Sequence, residues 1–226
     1  MHIGLIGGIG PAATDFYYRR LISSFASRGM PLELTIVHAD APTLLQHLAV
    51  NDRASQVAIY QRLTERLVAA GADCVVITSI AGHFCIAEFE AVSPLPVLNM
   101  LSAVNHVVQA RGLSRIGILG TRTVMASRFY GSVAQAEIIP PADAELDLVH
   151  EAYVTMAASG TVTDAQRAVF DAAARRLMTA AHTDAIMLGG TDLALVYREA
   201  DAPFPLVDCA GIHVDAIVAR AAGTSP

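Results

Sequence analysis

The 226-residue chain contains no lysine and no tryptophan, and all 15 of its basic residues are arginine. Without a lysine amine, no internal Schiff base can form with pyridoxal phosphate or with a carbonyl substrate. The phosphate-cradling P-loop is excluded for the same reason. Positive charge is also scarce overall. Asp and Glu number 21 against those 15, a net charge of −6, where a nucleic-acid partner asks for a basic face. No apolar run approaches the roughly 18 residues that a membrane-spanning helix needs. Cysteine is limited to Cys74, Cys85 and Cys209, without paired or metal-ligand spacing. That pattern reads as free thiols in a reducing compartment, with no metal site. The opening Met1 to Asp15 has no basic stretch and is broken by glycines, unlike a secretory signal. A cytoplasmic protein is expected, with neither nucleic acid nor membrane as partner.

What is present is alternation. Short apolar runs at Ile3–Ile6, Leu34–Val37, Val75–Ile77, Val97–Leu98, Ile116–Leu119, Ala185–Leu188 and Leu206–Asp208 read as strands. Between them lie helical periods. Ala13, Tyr17, Leu21 and Phe25 form one face after Pro11, and Val57, Tyr60, Leu63, Leu67 and Ala70 another, closed by Gly71. Further helices are expected through Val104–Val108, Met125–Ala136, Leu146–Met156, Gln166–Ala181, Asp192–Tyr197 and Ile212–Ala222. Strands joined by crossover helices imply parallel sheets covered on both faces.

The alternation repeats itself. Ile3-Gly4-Leu5-Ile6-Gly7 is echoed by Ile116-Gly117-Ile118-Leu119-Gly120 at an offset of 113, and Asp73 to Ile77 by Asp184 to Leu188 at an offset of 111. Two matched strands in the same order suggest two similar Rossmann-like α/β domains, pseudo-symmetric, with mainly parallel sheets and a cleft between them. Residues 1–99 form the first half, with 207–226 packing back on it, and residues 100–206 the second. Ligands of such sheets bind beyond the carboxyl ends of strands. Attention therefore falls on the loops at Gly8–Thr14, Thr78–His83, Thr121–Met125 and Gly189–Asp192.

Those loops carry a resemblance. Gly7-Gly8-Ile9-Gly10-Pro11-Ala12-Ala13-Thr14, Leu119-Gly120-Thr121 with Met125, Leu188-Gly189-Gly190-Thr191-Asp192 and Thr78 to His83 resemble segments of the aspartate/glutamate racemase superfamily. The likeness runs over essentially the whole chain. It implies a cofactor-independent protein of the isomerase class that binds a small carboxylic or amino acid, and pairs as a homodimer. In that family one cysteine from each half moves the proton alpha to a carboxylate. The matching positions here are Ser79 and Gly190. Ile80, Ala81 and Val124 stand where the family carries polar side chains. The two-thiol mechanism is therefore not supported at these positions. A divergent lyase, decarboxylase or hydrolase using His83 and Ser79, or a non-catalytic ligand-binding relative, is the alternative.

The candidate acid/base residues are His83, Ser79 and Asp192. Each has a structural reading too: a helix cap for Ser79 and Asp192, a buried backbone partner for His83. Gly8, Ile9, Gly10 and Thr14 offer a helix N-terminus to an anion. Thr121, Arg122 and Thr123 offer hydroxyls and a guanidinium to a carboxylate, and Gly190 and Thr191 complete the set. No cofactor or metal is expected. Gly8, Gly10 and Ala13 with Asp40 also satisfy a dinucleotide fingerprint, but Pro11 is unusual within it, and the repeat and the other three loops are left unexplained.

Overall fold

The computed structural model describes residues 1–223. The chain divides into two units, Met1–Asn99 with the chain from His213, and Met100–Ile212.

In the first unit, β1 (His2–Gly7) leads through α1 (Pro11–Ser27) to β2 (Glu33–His38). Then α2 (Ala41–Ala49) and α3 (Arg53–Ala69) lead to β3 (Cys74–Ile77), followed by a 3-10 turn at Ala81–Cys85 and α4 (Ile86–Val92). The sheet is parallel in the order β2-β1-β3. Ile3, Leu5 and Ile6 of β1 and all of β3 are buried, the continuous apolar run that a strand covered on both faces requires. Ala13, Tyr17, Leu21 and Phe25 form the buried face of α1, as their spacing implies. Gly71, at φ +84°, ends the turn after α3.

In the second unit, α5 (Met100–Ala110), β4 (Arg115–Gly120), α6 (Arg122–Ala126), β5 (Glu137–Ile139), α7 (Asp143–Ser159), α8 (Asp164–Thr179), β6 (Ala185–Gly189) and β7 (Leu206–Val207) follow in order. The sheet is again parallel, in the order β5-β4-β6-β7. The last helix, α9 (Cys209–Ala221), begins here and from His213 belongs to the first unit.

The repeat has a physical basis. β1 and β4 each stand between the two strands that follow them in their own unit. Asp73 accepts the His2 N–H at 2.7 Å, and Asp184 accepts the N–H groups of Ser114 and Arg115 at 2.8 and 2.9 Å. The matched aspartates thus tie the start of each central strand to its neighbour.

Several expectations are corrected. Val97–Leu98 is not a strand but a single bridge, Val75 to Val97, although the Val75 N–H to Pro96 carbonyl bond (3.0 Å) parallels that of Ile186 to Pro205 (2.9 Å). The helix expected over Met125–Ala136 stops at Ala126, because Arg128, Phe129, Tyr130 and Gly131 all take positive φ. The Asp192–Tyr197 helix is a 3-10 turn at Thr191–Leu195. β7 belongs to the second sheet, so the return to the first unit comes at His213 rather than at 207. Asp40, the acid of the dinucleotide fingerprint, is the N-cap of α2, accepting the Thr43 N–H at 2.9 Å and its hydroxyl at 2.6 Å.

Candidate functional site

In the first unit, β1 runs into a loop that only glycine can build. Gly8 and Gly10 take φ +92° and +89°, and a Cβ on Gly8 would lie 2.5 Å from the Ala39 carbonyl oxygen. Thr14 spends its hydroxyl on the same loop. Its Oγ1 accepts the Gly8 N–H at 2.8 Å and donates to the Gly10 carbonyl at 3.3 Å. Ile9 is buried. A groove of about 350 Å³ lies beside the loop, with Gly8, Thr14, Asp15, Tyr18 and His38 among its walls.

At the carboxyl end of β3, Thr78 and Ser79 are buried and the chain turns into the 3-10 segment. Ser79 Oγ accepts the Gly82 N–H at 3.4 Å. The His83 ring donates from Nδ1 to the Ser79 carbonyl at 2.7 Å, since a carbonyl can only accept. That bond fixes the tautomer and leaves Nε2 as an acceptor, buried and without a partner. Burial pulls the His83 pKa down to about 4, against the carbonyl bond that favours the charged form, so the ring is neutral at pH 7. A second buried imidazole, His213, meets His83 edge to face with centroids 6.2 Å apart. His213 donates from Nε2 to the Leu98 carbonyl at 2.7 Å and accepts the Tyr17 hydroxyl at Nδ1 at 2.8 Å. Burial lowers its pKa to about 3.

In the second unit, Thr121 caps α6, its Oγ1 accepting the Val124 N–H at 3.4 Å. The Arg122 guanidinium is half exposed and pairs with Asp147, while its backbone N–H donates to His150 Nδ1 at 3.2 Å. Thr123 is exposed. At the carboxyl end of β6, Gly190, Thr191 and Asp192 are buried. Gly190 is extended, so backbone strain does not account for the glycine; space does. A Cβ there would lie 2.5 Å from Cζ and 2.6 Å from Oη of Tyr153. Tyr153, on α7, is buried and donates its hydroxyl to Asp192 Oδ2 at 2.8 Å. Asp192 Oδ1 is buried without a partner. Burial raises the Asp192 pKa, opposed by the hydrogen bonds from Tyr153 and from its own backbone N–H, and burial above all lifts the phenol well above its usual range.

Tyr153 was not among the sequence candidates. Its only signal is spacing with Val149 and Met156, which reads as core. The thiols stand apart from this chemistry. Cys74, Cys85 and Cys209 are free and buried. Burial, and secondarily the Glu88 charge, pushes Cys85 up to about 12, and burial raises Cys209 as well. Among the described residues no group of three or more His, Cys, Asp or Glu side chains is placed to hold a metal ion, and no helix is long and apolar enough to cross a membrane.

Two α/β units, each with a parallel sheet whose buried polar groups gather at the carboxyl ends of its strands, define a two-domain α/β protein. The profile of the Asp/Glu/Hydantoin racemase family matches residues 6–217, and the chain belongs to that family. Its fold is similar to that of a candidate Asp/Glu racemase from Yersinia pestis, at 26% identity and a TM-score of 0.85, covering 98% of this chain and 100% of that one. An aspartate racemase homologue from Pyrococcus horikoshii OT3 follows at 22% identity and a TM-score of 0.82, covering 98% and 99%. Glutamate racemase from Francisella tularensis, solved with D-glutamate, shares the fold at 14% identity and a TM-score of 0.70, covering 98% and 81%.

Proposed function

We propose that this Asp/Glu racemase-family chain binds a small carboxylic or amino acid and transfers the proton alpha to its carboxylate from one side only, without a cofactor, through His83. The observation that carries this reading is the bare, buried Nε2 of a neutral imidazole at the carboxyl end of β3. A base needs a free lone pair in its neutral form, and the Nδ1–H bond to the Ser79 carbonyl steadies the imidazolium once the proton arrives. The proton leaves carbon for Nε2, and the electron pair it leaves passes into the carboxylate as an enediolate. With one base on one face, the proton returns to the face it left, or the electron pair of the carbanion forms a double bond as a leaving group departs from the beta carbon with its own bonding pair, as in a lyase. Ser79 is a hydrogen-bonding neighbour in this scheme, not a nucleophile. Cytoplasmic residence and a homodimer belong to the same proposal.

The second reading is a binding protein without chemistry, which the filling of the space at Gly190 by Tyr153 favours. Incubation with L- and D-aspartate and glutamate in heavy water separates the two. Loss of the alpha-proton signal supports proton transfer. Saturable binding without loss supports the binding protein, and absence of binding by all four overturns the ligand class.

A further inference from the structure

Resting on the reading above for the nature of the ligand, we propose that Tyr153 and Asp192 form a proton-holding pair. In it Asp192 is a carboxylic acid at neutral pH and offers its Oδ1 proton to an anionic oxygen, carboxylate or enediolate, of a ligand at the carboxyl end of β6.

Asp192 is 4% exposed, so its carboxyl has exchanged water for the groups around it. Those groups are few. Oδ2 accepts the neutral Tyr153 phenol at 2.8 Å, the backbone N–H of Asp192 itself also donates to the carboxyl, and Oδ1 is buried without a partner. Among the described residues no cation pairs with it; Arg122 of the same unit is engaged by Asp147. An ionised carboxylate with only neutral donors and no counter-charge is poorly compensated in such a place, and the group neutralises instead. The proton belongs on Oδ1, because Oδ2 is already the acceptor of the phenol. The neutral acid then carries a buried donor with no acceptor, which an anionic ligand oxygen supplies. A carboxyl kept neutral by its surroundings beside a tyrosine is a strong donor to an enolate-type oxygen.

Tyr153 is the positioning residue of the pair. Its ring rests where a side chain at 190 would stand, and that seat aims Oη at Oδ2. Gly190 is therefore part of the device: any larger residue evicts the ring.

Infrared difference spectra of the whole protein at pH 7 test the claim in two arms. In the unliganded protein, a protonated-carboxyl C=O band should be present, lost in Asp192→Asn and displaced in Tyr153→Phe, which keeps the ring and removes the hydroxyl. If neither variant alters that region, Asp192 is ionised and the proposal is overturned. Should Asp192→Asn fail to fold, Tyr153→Phe with carbon-13-labelled aspartate decides the same point by the carboxyl chemical shift. In the second arm, succinate or aspartate at concentrations that protect the protein thermally should shift the band. Thermal protection without a band shift overturns the donor role. Absence of protection by either acid or by glutamate overturns the proposed ligand class and with it the donor role, while the first arm still decides the protonation of Asp192.

Discussion

Tyr153 and Gly190 share one volume: a Cβ on residue 190 would stand 2.5 Å from Cζ of the tyrosine ring. The relationship predicts the outcome of restoring a side chain there. Gly190→Cys alone overpacks a buried site against a rigid ring and should cost about 1–3 kcal/mol. Tyr153→Ala alone opens a cavity and should cost about 3–5 kcal/mol, the range for large aromatic truncations. The double variant should be more stable than the sum of the two, by a coupling energy within the roughly 0.5–3 kcal/mol seen for contacting residues. Denaturant unfolding of the four proteins reads the cycle, and simple additivity would show that ring and glycine do not compete.

Two buried imidazoles set the acid limb of stability. His83 and His213 titrate near 4 and 3 in the folded protein against 6.5 when unfolded. The unfolded chain therefore binds more protons between those values. The stability of the neutral rings is complete above pH 6.5 and is lost as pH falls toward 4 and then 3. Each pH unit below 6.5 removes up to about 1.4 kcal/mol per imidazole. Unfolding free energy measured from pH 7.5 to 4.5 should fall steeply, and His213→Gln should flatten the slope. An unchanged slope in that variant would remove His213 from the account.

The Tyr17 hydroxyl satisfies His213 Nδ1 at 2.8 Å deep in the first unit. Tyr17→Phe keeps the ring packing and leaves a buried acceptor without its donor, a loss of about 1–3 kcal/mol. Thermal unfolding should show it as a lowered Tm with unchanged secondary structure.

The three thiols are expected to be inert. All are buried, and burial holds Cys85 and Cys209 far from their thiolate forms. An aromatic disulfide reagent at pH 8 should find no reactive thiol in the native protein and three after denaturation. Rapid native labelling of Cys85 or Cys209 would show an accessible thiolate and contradict the expectation.

Much of the frame is legible in residue order because burial imposes periodicity. The faces of α1 and α3, the runs of β1, β3, β4 and β6, and the recurrence of Asp73 and Asp184 before matched strands all follow from spacing. The exceptions have local causes. Arg128 to Gly131 take left-handed backbone, which apolar spacing over Met125–Ala136 does not disclose. β5 is three residues long, too short for an alternation to register. At the site, the loop residues are readable because glycines and hydroxyls cluster after strands. Thr14 and Thr121 turn out to serve their own loops, and Arg122 an ion pair. Tyr153 was hidden because a tyrosine at helical spacing is indistinguishable from core until Gly190 is seen beside it.

Proton transfer in the proposed function runs through His83 and is confined to one side. The most direct test follows alpha-proton exchange and chirality together, by proton NMR and chiral chromatography of L-aspartate and L-glutamate incubated with the protein in heavy water. The expected result is deuterium incorporation with retained configuration, lost in His83→Gln. Inversion at a rate matching incorporation, or incorporation undiminished in His83→Gln, would contradict it.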